Sequence, residues 1–167
     1  MYKRQSIYIS GDKNSHANAT GDGNVAIGLD ALYSITSGFA NIAIGDSASY
    51  SLTNNCYYNV SVGYSAAYSS TDGIKNVAIG YRAMLQYTTG DNNIAIGTES
   101  LSGNTSGEYN IAIGSEALHD SSSFNNIGIG EKAGYYNEFG NRNICIGRGS
   151  GPDPSDCLLY TSPSPRD

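Results

Sequence analysis

The sequence predicts an all-β protein, a parallel β-roll or β-solenoid of about eight 17-residue coils, and two observations predict it. A five-residue phrase of asparagine, aliphatic, small residue, aliphatic and glycine occurs eight times: Asn24-Val-Ala-Ile-Gly28, Asn41-Ile-Ala-Ile-Gly45, Asn59-Val-Ser-Val-Gly63, Asn76-Val-Ala-Ile-Gly80, Asn93-Ile-Ala-Ile-Gly97, Asn110-Ile-Ala-Ile-Gly114, Asn126-Ile-Gly-Ile-Gly130 and Asn143-Ile-Cys-Ile-Gly147. The closing glycines follow one another at 17, 18, 17, 17, 17, 16 and 17 residues. A fixed period in this range marks stacked coils, each covering the hydrophobic face of the next.

Taken in chain order, residues 1–20 form an N-terminal segment in which Ile7-Tyr8-Ile9-Ser10-Gly11 reads as a degenerate first coil, lacking the asparagine, that caps the stack. Residues 21–151 are the repeat domain. Residues 152–167 are expected to be a non-native or disordered tail, because 157–167 match no period and look like a translated sequencing adapter. On that reading the natural chain continues past about Asp156.

Within each phrase the alternation calls for a short strand, with the two aliphatics on one face and the asparagine, small residue and glycine on the other. The aliphatic columns are expected to fill the coil interior. The middle position (Ala26, Ala43, Ser61, Ala78, Ala95, Ala112, Gly128, Cys145) is never large, so it is expected to face a second subunit at short range. Three residues after each glycine, Ala31, Ala48, Ala66, Ala83, Ser100, Ala117, Ala133 and Ser150 read as an inward position of a return strand. Ten after it, Gly38, Gly73, Gly90, Gly107 and Gly140 are expected at tight corners with positive φ.

The asparagines Asn24, Asn41, Asn59, Asn76, Asn93, Asn110, Asn126 and Asn143 have a structural role available to them. Identical amides stacked at one coil spacing can donate to and accept from their neighbours, as in cross-β ladders. Thr36, Thr53, Thr71, Thr88 and Thr105 suggest a second ladder. Tyr33, Tyr50, Tyr68 and Tyr135, five after the glycine, form a partial aromatic column and are the candidate surface-contact residues, since aromatic faces suit sugar rings and protein patches.

Composition points away from several classes. Nine Lys and Arg against a net charge of −6 provide no basic stripe for nucleic acid. No apolar run is long enough for a signal peptide or a membrane span, so no membrane insertion is expected. Cys56, Cys145 and Cys157 have no metal spacing, and Cys56 and Cys145 lie five coils apart, at ~4.8 Å per coil too far to pair within one chain. Asp22, Asp72 and Asp91 beside corner glycines lack calcium-loop spacing and read as turn chemistry.

No catalytic, cofactor or metal residues are expected, and the chain reads as a non-enzyme. Gly128-Ile-Gly130-Glu-Lys-Ala133 matches a dinucleotide fingerprint only as one copy of the repeat. His16 and His119 fall in loops about six periods apart, too far to assemble a general base.

A coil this thin encloses little, so burial of a flat face against sister chains in a closed three-fold arrangement is expected. The phrase, followed by forms such as Gly80-Tyr-Arg-Ala-Met84 and Gly28-Leu-Asp-Ala-Leu-Tyr33, resembles the head repeats of YadA-type trimeric autotransporter adhesins. The 17-residue spacing, with Thr88-Thr-Gly-Asp-Asn-Asn93 leading into a phrase, is more similar to repeats of phage tail-fibre proteins, in which a chaperone domain often follows the repeats. The resemblance covers about residues 21–151. It implies a left-handed, trimeric β-roll that serves as a fibre shaft or head on a virion and engages a cell-surface glycan or protein receptor. The alternative it implies is the head of a bacterial surface adhesin.

Overall fold

The computed structural model describes residues 6–9, 21–53, 55–87, 89–136 and 140–151. Among these are nine three-residue strands and no helix: β1 (Ile7–Ile9), β2 (Val25–Ile27), β3 (Ile42–Ile44), β4 (Val60–Val62), β5 (Val77–Ile79), β6 (Ile94–Ile96), β7 (Ile111–Ile113), β8 (Ile127–Ile129) and β9 (Ile144–Ile146). They form one parallel sheet in sequence order, so every turn of chain lies directly on the one before. Of the expected degenerate first coil, Ile7–Ile9 form β1, with Tyr8 paired to Ala26, while Ser10 and Gly11 lie outside the described residues. Calls on residues 1–5, 10–20 and 152–167, including His16, Cys157 and the adapter-like tail, lie outside the described residues.

Register never slips. Ala26, Ala43, Ser61, Ala78, Ala95, Ala112, Gly128 and Cys145 pair in an unbroken line. The 18-residue and 16-residue spacings leave this line intact, so length differences are absorbed in the connecting segment. The ladder hydrogen bonds run both ways: Ile42 N–H donates to the Asn59 carbonyl at 2.8 Å and Gly45 N–H to the Ile27 carbonyl at 2.7 Å.

The orientation of the strand is the reverse of the sequence expectation. The middle residue is the buried one, with Ala26, Ala43, Ala95 and Ala112 all 0% exposed. The aliphatics point outward, and Ile27, Ile42, Ile44, Ile79, Ile96, Ile113 and Ile129 are each 36–38% exposed. The close approach that demands a small residue is therefore inside the coil, where the returning chain passes behind the strand. A Cβ placed on Gly128 would sit 2.8 Å from the Ala133 carbonyl oxygen and 2.8 Å from Leu118 Cγ. Two outward aliphatics need no such restriction on size, which is why the size signal lay on the other face.

The return segment is not a strand. Its residues two and four after the glycine have positive φ: Asp30 and Leu32 at 55° and 52°, Arg82 and Met84 at 53° and 54°, Glu116 and Leu118 at 54° and 47°. Left-handed backbone at non-glycine residues costs on the order of 1 kcal/mol each, and here inter-coil hydrogen bonds offset it. Ser47 N–H donates to the Leu29 carbonyl at 2.8 Å, and Leu32 N–H to the Ala48 carbonyl at 3.0 Å. The left-handed kink turns two consecutive side chains inward, so that Ala31 and Leu32 are both fully buried, as are Ala83 and Met84. The expected inward rank three after the glycine is thus present, joined by a larger inward rank at the next position.

The corner glycines Gly38, Gly73, Gly90 and Gly107 do not have the expected positive φ. They are glycines for lack of space: a Cβ on Gly38 would lie 2.8 Å from the Cys56 carbonyl oxygen, and one on Gly73 2.6 Å from the Asn76 amide nitrogen. Positive φ belongs instead to the phrase-closing glycines, such as Gly45 at 131° and Gly97 at 137°.

The inward ranks gather into two clusters. One contains Ala26, Leu32, Ile35, Ala43, Leu52 and Cys56, and the other Ala78, Met84, Tyr87, Ala95, Leu101 and Leu118. Volumes compensate along the axis: Ser49 replaces a larger residue and its hydroxyl donates to Ser61 at 2.8 Å.

Candidate functional site: the outward ranks

The asparagines lie on the inner side of the corner, where they are structural. Asn93 is 0% exposed. Its backbone N–H and amide donate to Asn76 Oδ1 at 2.9 and 3.2 Å, and its amide also reaches the Gly107 carbonyl at 2.9 Å. The same bonds link Asn24 to Asn41, Asn41 to Asn59 and Asn93 to Asn110. Asn76 follows Asn59 through its backbone N–H, as Asn126 follows Asn110 and Asn143 follows Asn126. Each oxygen thus caps the backbone of the next coil, a role the amide ladder read from sequence did not include. At Asn126 the amide nitrogen is buried with no partner among the described residues. Of the threonine rank, the Thr53 hydroxyl donates to the Thr71 carbonyl at 3.1 Å, so this contact is to backbone rather than between hydroxyls. Thr88 lies outside the described residues.

Two outward surfaces remain as functional candidates. The first is the aliphatic face of the sheet. Two parallel ranks of Val and Ile run from β1 to β9, with Ile7 and Ile9 55% and 61% exposed at one end and Ile146 53% exposed at the other. Nine strands at ~4.8 Å give a face roughly 40 Å long and about 10 Å wide, on the order of 400 Å² without a charge in it. Tyr64 and Tyr81, stacked at 5.6 Å, flank it at the position after the glycine, with the Arg82 guanidinium 5.0 Å above the Tyr81 ring.

The second surface is the column five after the glycine. Tyr33, Tyr50 and Tyr68 stack on one another at 4.9 and 5.0 Å with interplanar angles of 1° and 11°. These rings present edges to solvent, because each covers its neighbour's face. A sugar cannot lie flat on Tyr50. Tyr135 stands in the same rank on His119, at 4.8 Å and 7°, and Tyr136 meets it edge-on at 4.5 Å. His119, expected in a loop, is therefore a member of the aromatic rank, with Nδ1 2.6 Å from Asp120 Oδ1. A further stack, Phe39 on Tyr57 at 4.3 Å, was not singled out from sequence because the extra residue of that coil puts the two rings out of phase.

Comparisons with protein-family models, curated proteins and solved structures return no match. The chemistry therefore has to be read from these surfaces alone. Among the described residues no group of three His, Cys, Asp or Glu side chains could hold a metal, and no helix is long and apolar enough to cross a membrane. Charged side chains pair between coils on the surface: Arg82 with Glu99 at 3.8 Å, Lys132 with Glu116 at 3.5 Å and Arg148 with Glu131 at 3.3 Å. Exposed pairs of this kind contribute little to stability but keep the rims neutral. Asp91 Oδ1 accepts the Ile74 N–H at 2.8 Å, which is turn chemistry between coils.

Cys56 is a free, buried thiol, and its Sγ–H donates to the Thr71 carbonyl at 2.8 Å. Burial pushes its pKa up to about 11. Cys145 is disulfide-bonded. Cys56 is not its partner, as the separation of the two requires.

Proposed function

We propose that the chain is a structural and adhesive segment of a virion tail fibre, a homotrimer that carries or forms a surface for attachment to the host cell. The observation that supports this most is the uninterrupted aliphatic face. A contiguous apolar patch of several hundred Å² on a soluble surface marks an interface. Its regularity narrows the partner further: a face repeating every ~4.8 Å is matched along its whole length by another copy with the same repeat. Closure of three such faces about one axis buries all of them and leaves no open edge for further addition. The trimer contact is thus assigned to the outward Val and Ile ranks, not to the small middle column.

The stacked Tyr33, Tyr50 and Tyr68 lie in the return segment, outside the aliphatic ranks, where a receptor glycan or protein would meet them. Three copies of a weak contact combine through effective concentration. The same phrase supports a second reading, the head of a bacterial trimeric adhesin displayed at the outer-membrane surface.

Sedimentation equilibrium of the full chain tests the assembly. A trimer is expected at micromolar concentration, and replacing Ile79 and Ile96 by glutamate should give monomers with an unchanged β-rich circular dichroism spectrum. A wild-type protein that is monomeric throughout would remove the reading. Binding of the labelled trimer to candidate host cells, competed by unlabelled trimer, tests attachment.

A further inference from the structure

The interior of the stack is uneven. Two inward positions, four and seven after each closing glycine, carry its bulk: Leu32 and Ile35 follow β2, Met84 and Tyr87 follow β5, and all four are buried. Leu52 fills one of the two after β3, Leu101 after β6 and Leu118 after β7. After β4 they are Ala67 and Ser70, and the other inward positions of that coil are Ser61 and Ala66. The two apolar clusters part at this level, one ending at Cys56 and the other beginning at Ala66. Between them the Ser49 hydroxyl donates to Ser61 at 2.8 Å.

Aromatic rings stand outside the coil whose interior lacks bulk. Toward β3, Tyr57 stacks on Phe39 at 4.3 Å and Tyr68 on Tyr50 at 5.0 Å; toward β5, Tyr64 stacks on Tyr81 at 5.6 Å. The stability of stacked repeats is a sum of each unit's own term and its contacts with the two neighbours. Apolar area removed from water dominates such contacts, and alanine methyls and serine hydroxyls remove little of it. Opening this coil therefore exposes little apolar surface of its own, and water satisfies the freed hydroxyls.

We propose that the β4 coil is a latch: it opens as a local unit while the coils on either side keep their fold, and the outer aromatic stacks hold it shut. Proteins open locally where buried apolar contacts are few. The solenoid is thereby divided into a block that ends with the β3 coil and a block that starts at β5, and bending or pulling yields first between them. The latch follows from stacking within one chain and does not rest on the fibre reading.

The experiment is hydrogen exchange of the full-length protein, read by mass spectrometry in urea below the unfolding midpoint. In residues 60–70 the Val60 N–H is held by the Asn76 carbonyl at 2.8 Å and the Ala67 N–H by the Ala83 carbonyl at 2.8 Å. Their counterparts in residues 94–104 are Ile94 on Asn110 at 2.9 Å and Leu101 on Ala117 at 3.0 Å. Despite this matched bonding, residues 60–70 should exchange about tenfold faster than residues 94–104. They should also outpace the Leu32 and Gly45 amides, which lie nearer the chain end, so fraying from that end does not account for the difference. Ala67→Leu should slow residues 60–70 to the rate of residues 94–104, because Leu32, Leu101 and Leu118 occupy this rank at φ of 52°, 53° and 47°, against 52° at Ala67. Ser70→Leu, at the rank of Leu52, provides the same readout should Ala67→Leu fail to fold. Tyr68→Ala should speed residues 60–70 roughly fivefold and leave residues 94–104 unchanged. Equal exchange of the two segments in the wild type overturns the latch, as does a folded filling variant that leaves residues 60–70 as fast as before, or a Tyr68→Ala protein in which both segments speed up alike.

Discussion

Asn110 donates its backbone N–H to Asn93 Oδ1 at 2.9 Å and its side-chain amide to the same atom at 3.1 Å, so one oxygen holds both the main chain and the side chain of the next coil. Asn93→Ala removes that acceptor and also the donor to the Gly107 carbonyl, leaving buried groups unpaired on both sides. At about 1–3 kcal/mol for each unsatisfied group, a loss on the order of 3 kcal/mol is expected in urea titration. A shift below about 1 kcal/mol would show that the ladder is dispensable.

Ala95 and Ile96 are chain neighbours with opposite surroundings. Ala95→Leu pushes three extra carbons into an interior with no room, and overpacking of this kind costs roughly 1–3 kcal/mol or more. Lowered thermal stability is expected at any protein concentration. Ile96→Ser removes an outward side chain, and if that face is the proposed trimer contact its effect should grow on dilution. If both variants show the same concentration dependence, the assignment of faces is wrong.

Gly45→Ala combines a φ of 131° with a Cβ 2.5 Å from the Gly63 carbonyl oxygen. Strain at such a position is on the order of 1–3 kcal/mol before the clash is counted. Soluble yield and melting temperature should both fall sharply. Gly149→Ala, with open space around its Cβ and a φ of 64° that other coils reach with ordinary residues, should be nearly neutral. Similar losses for the two glycines would argue that the backbone, not the contact between coils, sets the requirement.

Alkaline pH should loosen the stack. Burial raises the Cys56 thiol from 9.0 to about 11 and also raises Tyr87, whose hydroxyl accepts from the Asn93 amide at 2.7 Å. Both groups hold their protons more tightly folded than unfolded. The contribution of Cys56 is therefore fully present below about pH 9 and is lost as pH climbs through about 11, while that of Tyr87 begins to be lost only above its ordinary value of 10.0. The urea midpoint should decline from about pH 9 in the wild type and only from about pH 10 in Cys56→Ala. A midpoint that stays level from pH 8.5 to 10.5 in the wild type would contradict this.

Much of the architecture was readable because the repeat is a translation along one axis. Once Ala43 is known to recur as Ser61 and Ala78, stacking in register follows, and with it the parallel sheet, the asparagine bonds and the degenerate coil at Ile7. Direction was not readable. Alternation separates Ile42 and Ile44 from Ala43 but does not say which set is inside, and the usual preference for aliphatic interiors gives the wrong answer in a coil whose two walls nearly touch. The left-handed residues were equally hidden, since Asp30, Arg82 and Lys132 carry no common side-chain signal for a backbone that inter-coil hydrogen bonds impose.

Because the ladder bonds of each turn go to the turns on either side, and register survives spacings of 16, 17 and 18 residues, a solenoid of this kind can change length without redesign. Unequal recombination between neighbouring repeats in the gene would add or remove whole turns, changing the length of the stack by ~4.8 Å for each one. The length of the stack is then a quantity that heredity can adjust in small equal steps.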